Sequence, residues 1–167
     1  MKENVLVVIK PDAVSKGLIG NVLEKFPAEN VEIVAARVLQ VPEALAQEHY
    51  RHIKNKPFFK QTVDYLLGKY TKKKVVLAIV LSGENAIKKC RDLAGSTNPE
   101  EADPTSIRGS FGRITTRGVF ENVLHVSSDP KEAEREIKLW FDPNDIAAKL
   151  YPTKVKTVKA SQKRVWA

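Results

Sequence analysis

The sequence is short of cysteine, of long apolar runs and of the usual phosphate-binding signatures, and each shortage removes a class of protein. Cys90 is the single cysteine in 167 residues, so a disulfide-stapled secreted scaffold is excluded. No uninterrupted apolar stretch approaches the roughly 20 residues that span a bilayer. Met1-Lys2-Glu3-Asn4 leads straight into a short strand-like run without the h-region of a signal peptide, so a cytoplasmic protein without membrane attachment is expected. Repeats, low-complexity stretches and internal linkers are missing. So are a Walker-type glycine loop and the protein-kinase signature, so any phosphate is bound by another route. What remains is ordinary globular composition, 43% hydrophobic and 29% charged, in a length that suits one domain with a real core.

The net charge is +8, and it is unevenly placed. Lys154, Lys156, Lys159, Lys163 and Arg164 supply five of those charges from the last 17 residues, with no acid among them. The rest is a nearly balanced domain. A second cluster is Lys69, Lys72, Lys73 and Lys74. Such runs can hold nucleic acid or anionic lipid through phosphate contacts, or stand simply as solvated tails and turns. The solvated reading is preferred here, with nucleic acid on the tail kept as a less favoured option.

Val5 to Ile9 is a continuous apolar run, consistent with a buried central strand that Pro11 ends. Residues 15 to 26 carry apolar residues at helical spacing. Glu32 to Leu39 reads as a second strand, Pro42 to Arg51 and Pro57 to Leu67 as helices, and Val75 to Leu81 as a third strand. Asn85 to Leu93 reads as a helix with Gly95 as a left-handed cap. Residues 95 to 118 are rich in glycine, proline and small polar residues and read as a long functional loop. Val119 to Val126 reads as a fourth strand. Asp129-Pro130 opens a last helix, with Asp129 as cap and Ala133, Ile137 and Trp140 as its apolar stripe. Four strands with intervening helices predict an α/β (α+β) fold, a ferredoxin-like βαββαβ sandwich with a four-stranded antiparallel sheet and helices on its faces.

His125 is the most informative polar residue, because it lies at the end of the last strand, beside a loop. An imidazole is nucleophilic near neutral pH, although a lone strand histidine is more often structural. Lys10 ends the first strand, Arg91 sits in the last turn of a helix, Thr97 follows in the loop, and Arg108 precedes Gly109. Guanidinium groups grip phosphate oxygens in a two-pronged way and lysine acts as a point charge. A nucleophile amid such cations describes phosphoryl transfer if they converge, and scattered surface charge if they do not. Tyr50 points either at the site or at solvent. Of Phe58 and Phe59, one suits base stacking and the other the core. His49 and His52 read as exposed, not as a zinc site.

Together these residues carry a resemblance. From about Asn4 to Phe141 the chain resembles the nucleoside diphosphate kinases. The landmarks are Ile9-Lys10-Pro11-Asp12-Ala13-Val14, Glu48-His49-Tyr50, Lys56-Pro57-Phe58-Phe59, Gly95-Ser96-Thr97-Asn98-Pro99, Ser106-Ile107-Arg108-Gly109-Ser110-Phe111, Asn122-Val123-Leu124-His125, Ala133-Glu134-Arg135-Glu136-Ile137 and Trp140-Phe141. The resemblance implies ping-pong transfer of the γ-phosphate from a nucleoside triphosphate, usually ATP, to nucleoside diphosphates such as GDP or ADP, through a phosphohistidine on His125. It also implies a set of site roles. Lys10 would contact the ribose and the transferred phosphate. Tyr50 would lie beside the imidazole, and Glu136 would orient that ring with Ser127 assisting. Phe58 would stack on the base, Arg91 and Thr97 would hold the β-phosphate, Arg108 the γ-phosphate, and Asn122 the sugar hydroxyl. Mg²⁺ would arrive on the nucleotide phosphates, with no metal ligand from the protein. A homo-oligomer is implied, with a hexamer favoured. The kinase domain would be residues 1–146 and the basic tail 147–167. This chain departs from the family pattern at Val126 and Ser128, in a Lys-rich lengthening at 69 to 74, and in a longer run at 113 to 121.

Overall fold

The apolar run at the N-terminus is buried on both sides, as a strand in the middle of a sheet must be. The computed structural model describes residues 2–26 and 31–157. Six strands form in chain order: β1 (Lys2–Ile9), β2 (Glu32–Leu39), β3 (Val76–Glu84), β4 (Arg113–Ile114), β5 (Phe120–Glu121) and β6 (Leu124–Val126). The main sheet has the order β2-β3-β1-β6, with every neighbouring pair antiparallel. This is the predicted ferredoxin-like sheet. β4 and β5 make a separate hairpin. The helices are α1 (Pro11–Ser15), α2 (Ile19–Glu24), α3 (Glu43–His49), α4 (Phe59–Leu66), α5 (Ala86–Ala94), α6 (Ile107–Phe111) and α7 (Pro130–Trp140).

Side chains alternate along β1, and so define two layers. Val5, Val7 and Ile9 pack with Val14, Val22, Ile87, Cys90 and Ile107 from α1, α2, α5 and α6. Leu6 and Val8 pack with Ala46, Val63, Leu66, Ile137 and Trp140 from α3, α4 and α7. Cys90 is a core residue whose thiol is pushed up to about 12 by burial, which makes it inert. The register of the sheet decides the placement of the site. Val8 lies opposite His125, and opposed residues share a face, so the imidazole emerges under α3, α4 and α7.

Four sequence expectations are corrected. Residues 15 to 26 are not one helix: Gly17, at φ +74°, separates α1 from α2. The region 95 to 118 is not a plain loop, since it contains α6 and β4. Gly95 does have a positive φ of 79°, but its ψ of −174° is extended and not helical, a combination open to glycine alone. Finally, the strand expected over Val119 to Val126 is broken at Val123, which has φ +69°. There Leu124 N–H donates to Asn122 O at 2.7 Å, closing a γ-turn. A β-branched residue in that conformation costs on the order of 1–3 kcal/mol. Its own backbone groups are held in compensation: Val123 N–H donates to Asp12 Oδ2 at 3.2 Å, and Val123 O accepts from Lys10 N–H at 2.8 Å.

Candidate active site

The break at Val123 and the turn at Lys10-Pro11-Asp12 lie side by side, and they aim two polar side chains at each other. Lys10 Nζ donates to Asn122 Oδ1 at 2.7 Å, and Asn122 Nδ2 donates to Thr97 O at 3.1 Å. Lys10 is buried, and its ammonium is lowered to about 7, first by burial and then by the Arg108 charge, against the opposing pull of Asp12. Its Nζ also sits 5.3 Å from the centre of the Tyr65 ring.

Arg108 is delivered by α6. Ser106 caps that helix by accepting from Gly109 N–H at 3.1 Å. Position 109 must be glycine, because a Cβ there would lie 2.0 Å from Asp103 O. The guanidinium donates to three main-chain carbonyls, Gly95 O at 2.7 Å, Leu124 O at 3.0 Å and Asn122 O at 3.3 Å. It is therefore fixed before any ligand arrives, with two of its five N–H groups left for an anion. Burial, and then the neighbouring Arg91, lower it to about 10, so it stays charged.

His125 completes the inner end. Its Nε2 lies 3.0 Å from the Glu136 carboxylate. Ser127 Oγ donates to Glu136 Oε2 at 2.6 Å, and Leu6 N–H donates to Ser127 Oγ at 3.1 Å. With Nε2–H committed to Glu136, Nδ1 carries the free lone pair. The imidazole is held well below its ordinary value by burial, then by Lys10 and Arg108, so it is neutral and nucleophilic at pH 7. Burial raises the Glu136 carboxyl, against the pull of His49, Ser127 and Arg135.

These groups open into one cavity of about 840 Å³. Lys10, Tyr50, Phe58, Arg91, Thr97, Arg108, Asn122, His125 and Glu136 all line it. A neutral imidazole at the closed end, flanked by fixed cations, has the chemistry to receive a phosphoryl group.

A profile of the nucleoside diphosphate kinases matches residues 3–146. The nucleoside diphosphate kinase of Methanothermobacter thermautotrophicus is 42% identical over 146 residues, 87% of this chain and 91% of that protein. Among solved structures, the Borrelia burgdorferi enzyme, a transition-state mimic with bound vanadate and ADP, superposes with a TM-score of 0.78 at 30% identity, over 90% of this chain and 93% of that one. The Halobacterium salinarum enzyme in complex with CDP gives a TM-score of 0.78 at 32% identity, over 90% and 95%. The chain belongs to the nucleoside diphosphate kinase family.

As a member of that family the protein is a phosphotransferase, moving the γ-phosphate of a nucleoside triphosphate to a nucleoside diphosphate through a phosphohistidine. Enzymes of this family use a divalent metal with their nucleotides. Among the described residues, the cluster of His, Asp, Glu and Cys close enough to hold an ion is His49, His125 and Glu136. That cluster is the His125 imidazole with two side chains that touch it, and with two nitrogen ligands it is not an oxygen cage for a hard cation. No helix among the described residues is long and apolar enough to cross a membrane.

Of the ten site residues read from the sequence, nine share the kinase pocket. Ser127, fully buried behind Glu136, acts on the pocket only through that carboxylate. Tyr50 is buried, lines the pocket and meets the His49 ring at 4.7 Å between centroids, which decides between its two readings. Phe58 is 49% exposed on the pocket wall, while Phe59 packs against the core. His52 is exposed as expected, but His49 is not: it is 0% exposed. Trp140 Nε1 donates to His49 Nδ1 at 3.1 Å, and the His49 ring meets His125 edge-on with centroids 4.3 Å apart. Burial, and next the closeness of a second imidazole that could also protonate, hold it well below its ordinary value, so it too is neutral. The signal for this residue lay in its spacing, because His49 shares a helical face with the apolar residues Leu45 and Ala46, whereas His52 falls outside α3.

Proposed function

We propose that His125 is the nucleophile of the kinase, acting through Nδ1. The observation that supports this reading most directly is the commitment of Nε2 to Glu136 at 3.0 Å, inside a pocket shared with Lys10, Arg91 and Arg108. In the first half-reaction Nδ1 attacks the γ-phosphorus. The N–P bond forms as the bond from that phosphorus to the β-phosphate oxygen breaks, and the diphosphate leaves. In the second half-reaction a terminal oxygen of an acceptor diphosphate attacks the same phosphorus, and Nδ1 departs with its electron pair. The ring becomes positive while it carries the phosphoryl group, and the Glu136 carboxylate, itself held by Ser127, stabilises that charge through Nε2–H.

The remaining residues divide the nucleotide between them. Arg108 and Lys10 stabilise the phosphoryl group in transit, where charge matters most. Arg91 and Thr97 hold the β-phosphate. Asn122 binds the sugar hydroxyl, oriented by its bonds to Lys10 and Thr97. Tyr50 packs beside the imidazole. Phe58 stacks on the base, and stacking needs only a π-face, so discrimination among bases is low. Mg²⁺ enters bound to the phosphates of the substrate. His49 belongs to this assembly as a positioning residue, wedged between Trp140 and the catalytic ring.

The functional unit is residues 1–146, followed by a basic tail at 147–167. The described part of that tail stays on the domain as far as Tyr151, with Ala147 N–H donating to Val34 O at 2.8 Å. The protein is a cytoplasmic homo-oligomer, a hexamer being the favoured arrangement. Self-association is supported by the open edge of β2, where Ile33 is 54% and Val38 65% exposed. A solution-mass measurement checks the subunit count, and a monomer would overturn this reading.

The central test is labelling with γ-labelled ATP. The wild type should take up acid-labile, alkali-stable phosphate that chases onto GDP, and His125→Ala should take up none and lose about 10⁴-fold or more in turnover. Label that persists in His125→Ala would sink the assignment.

A further inference from the structure

The chain has six phenylalanines, and their exposure sorts them. Phe26, Phe59, Phe111 and Phe141 are buried or half-buried, as large apolar rings usually are. Phe58 and Phe120 are the two left open, at 49% and 38%, and both line the nucleotide cavity. They reach it from separate segments: Phe58 stands at the start of α4, and Phe120 opens β5. Among the described residues neither ring touches another aromatic ring, so the two are not stacked on each other.

The register of the hairpin decides where Phe120 points. Phe120 pairs with Ile114, and Glu121 pairs with Arg113. Successive side chains of a strand face opposite ways. Glu121 lines a second cavity, of about 530 Å³, and is bound by Lys16 and Arg113, each at 2.7 Å. Phe120 is thereby left on the side of the nucleotide. The hairpin is braced at both ends. At its tip Gly118 N–H donates to Thr115 O at 2.9 Å, and Val119 N–H donates to Thr115 Oγ1 at 3.1 Å. At its base Gly112 N–H donates to Arg108 O at 2.8 Å, so the segment that carries Phe120 is tied to the helix that delivers Arg108. Phe58 is held too, its carbonyl accepting from Thr62 N–H and from Thr62 Oγ1, each at 3.0 Å.

We propose that Phe120 is a second base-binding residue of the kinase, stacking on the face of the nucleobase that Phe58 leaves open. The inference rests on the assignment of Phe58 as the platform for the base. A nucleobase has two π-faces, and a single platform leaves one of them in water. A ring on each side takes both faces out of solvent and adds no hydrogen-bonding pattern, so affinity rises for every base and the tolerance is kept. The run at 113 to 121, where this chain departs from the family pattern, is the segment that carries the second ring.

The test is calorimetric titration of the unphosphorylated full chain with ADP, CDP and ribose 5-diphosphate, the last being the same scaffold without a base. Phe120→Ala should weaken ADP and CDP by about tenfold and leave ribose 5-diphosphate bound as in the wild type. Phe120→Tyr keeps a ring and should stay within about twofold of the wild type for ADP, whereas Phe120→Leu, which keeps bulk without a π-face, should lose about threefold or more. Phe58→Ala, measured beside them, should also weaken ADP and CDP alone. If Phe58→Ala weakens them and Phe120→Ala does not, the second stacking face is overturned and the Phe58 platform stands. If neither variant weakens them, the base lies elsewhere and both assignments fall. Equal weakening of ribose 5-diphosphate by Phe120→Ala, or a leucine variant as tight as the wild type, also overturns the proposal, because wall shape or bulk would then account for the effect.

Discussion

The inner and outer ends of the nucleotide pocket are built differently. At the inner end, His125, Glu136, Ser127 and His49 are buried or nearly so, and hydrogen bonds tie His125 to Glu136, Glu136 to Ser127, and His49 to Trp140. At the outer end, Phe58 and Phe120 are exposed and flexible in their demands, and the contact expected there is a stacked ring. The difference maps onto chemistry. Phosphoryl transfer rewards groups that need no reorganisation as charge moves, so the inner end is rigid. Accepting every base forbids a rigid hydrogen-bonding pattern, so the outer end offers a surface and little else.

Four changes bear on that contrast, in falling order of effect. Arg108→Ala removes the most firmly held cation at the inner end and should lower turnover by roughly 10²–10³-fold with a far smaller change in nucleotide affinity. Steady-state kinetics check this, and an unchanged kcat would show that the guanidinium acts only as a scaffold for its three carbonyls. Glu136→Gln keeps the shape but removes the charge facing Nε2, so a loss of roughly 10- to 100-fold is expected, that of one charge-assisted hydrogen bond. A loss as deep as that of His125→Ala would mean that the carboxylate does more than orient the ring. At the outer end, Phe58→Ala should raise KM by about tenfold for purine and pyrimidine nucleotides alike, at nearly constant kcat, and an effect confined to one base would contradict stacking.

The smallest effect concerns acid stability. His49 and His125 are both buried neutral, with folded values below their unfolded values. The unfolded chain therefore binds more protons below about pH 6.5, and stability falls as pH drops through that range, by about 1.4 kcal/mol per pH unit for each group. Denaturant unfolding between pH 7 and pH 5 should show His49→Phe losing stability with acid less steeply than the wild type, by about that slope. Parallel curves would place His49 in water and not in the core.

Much of the fold was written in local patterns. The apolar runs that became β1, β2 and β3 fall where periodicity places them, and Asp129-Pro130 starts α7 with Asp129 accepting from Glu132 N–H. The site was legible because a phosphoryl-transfer pocket uses few residue types, and the resemblance located them along most of the chain. The helical spacing of His49 with Leu45 and Ala46 marked its face, but not what it meets there, because its neighbours are Trp140, 91 positions away, and His125 on β6. Nor was the break in the last strand, since nothing in Val123 itself asks for a positive φ. Asp12 and Lys10 impose it from the far end of the chain.

The amino-acid order alone determined that β1, β2 and β3 are strands, that Asp129 caps α7 and which side chains are able to bind phosphate, because those depend on near neighbours and on functional groups. Convergence was decided only by the folded chain. The register of β1 against β6 sets the face on which the imidazole emerges, and the packing of α3 and α7 supplies its supports. The Lys-rich turn at 69 to 74 and the β4–β5 hairpin meet around a second cleft, and its walls come from segments more than 40 residues apart, so no local pattern could announce it.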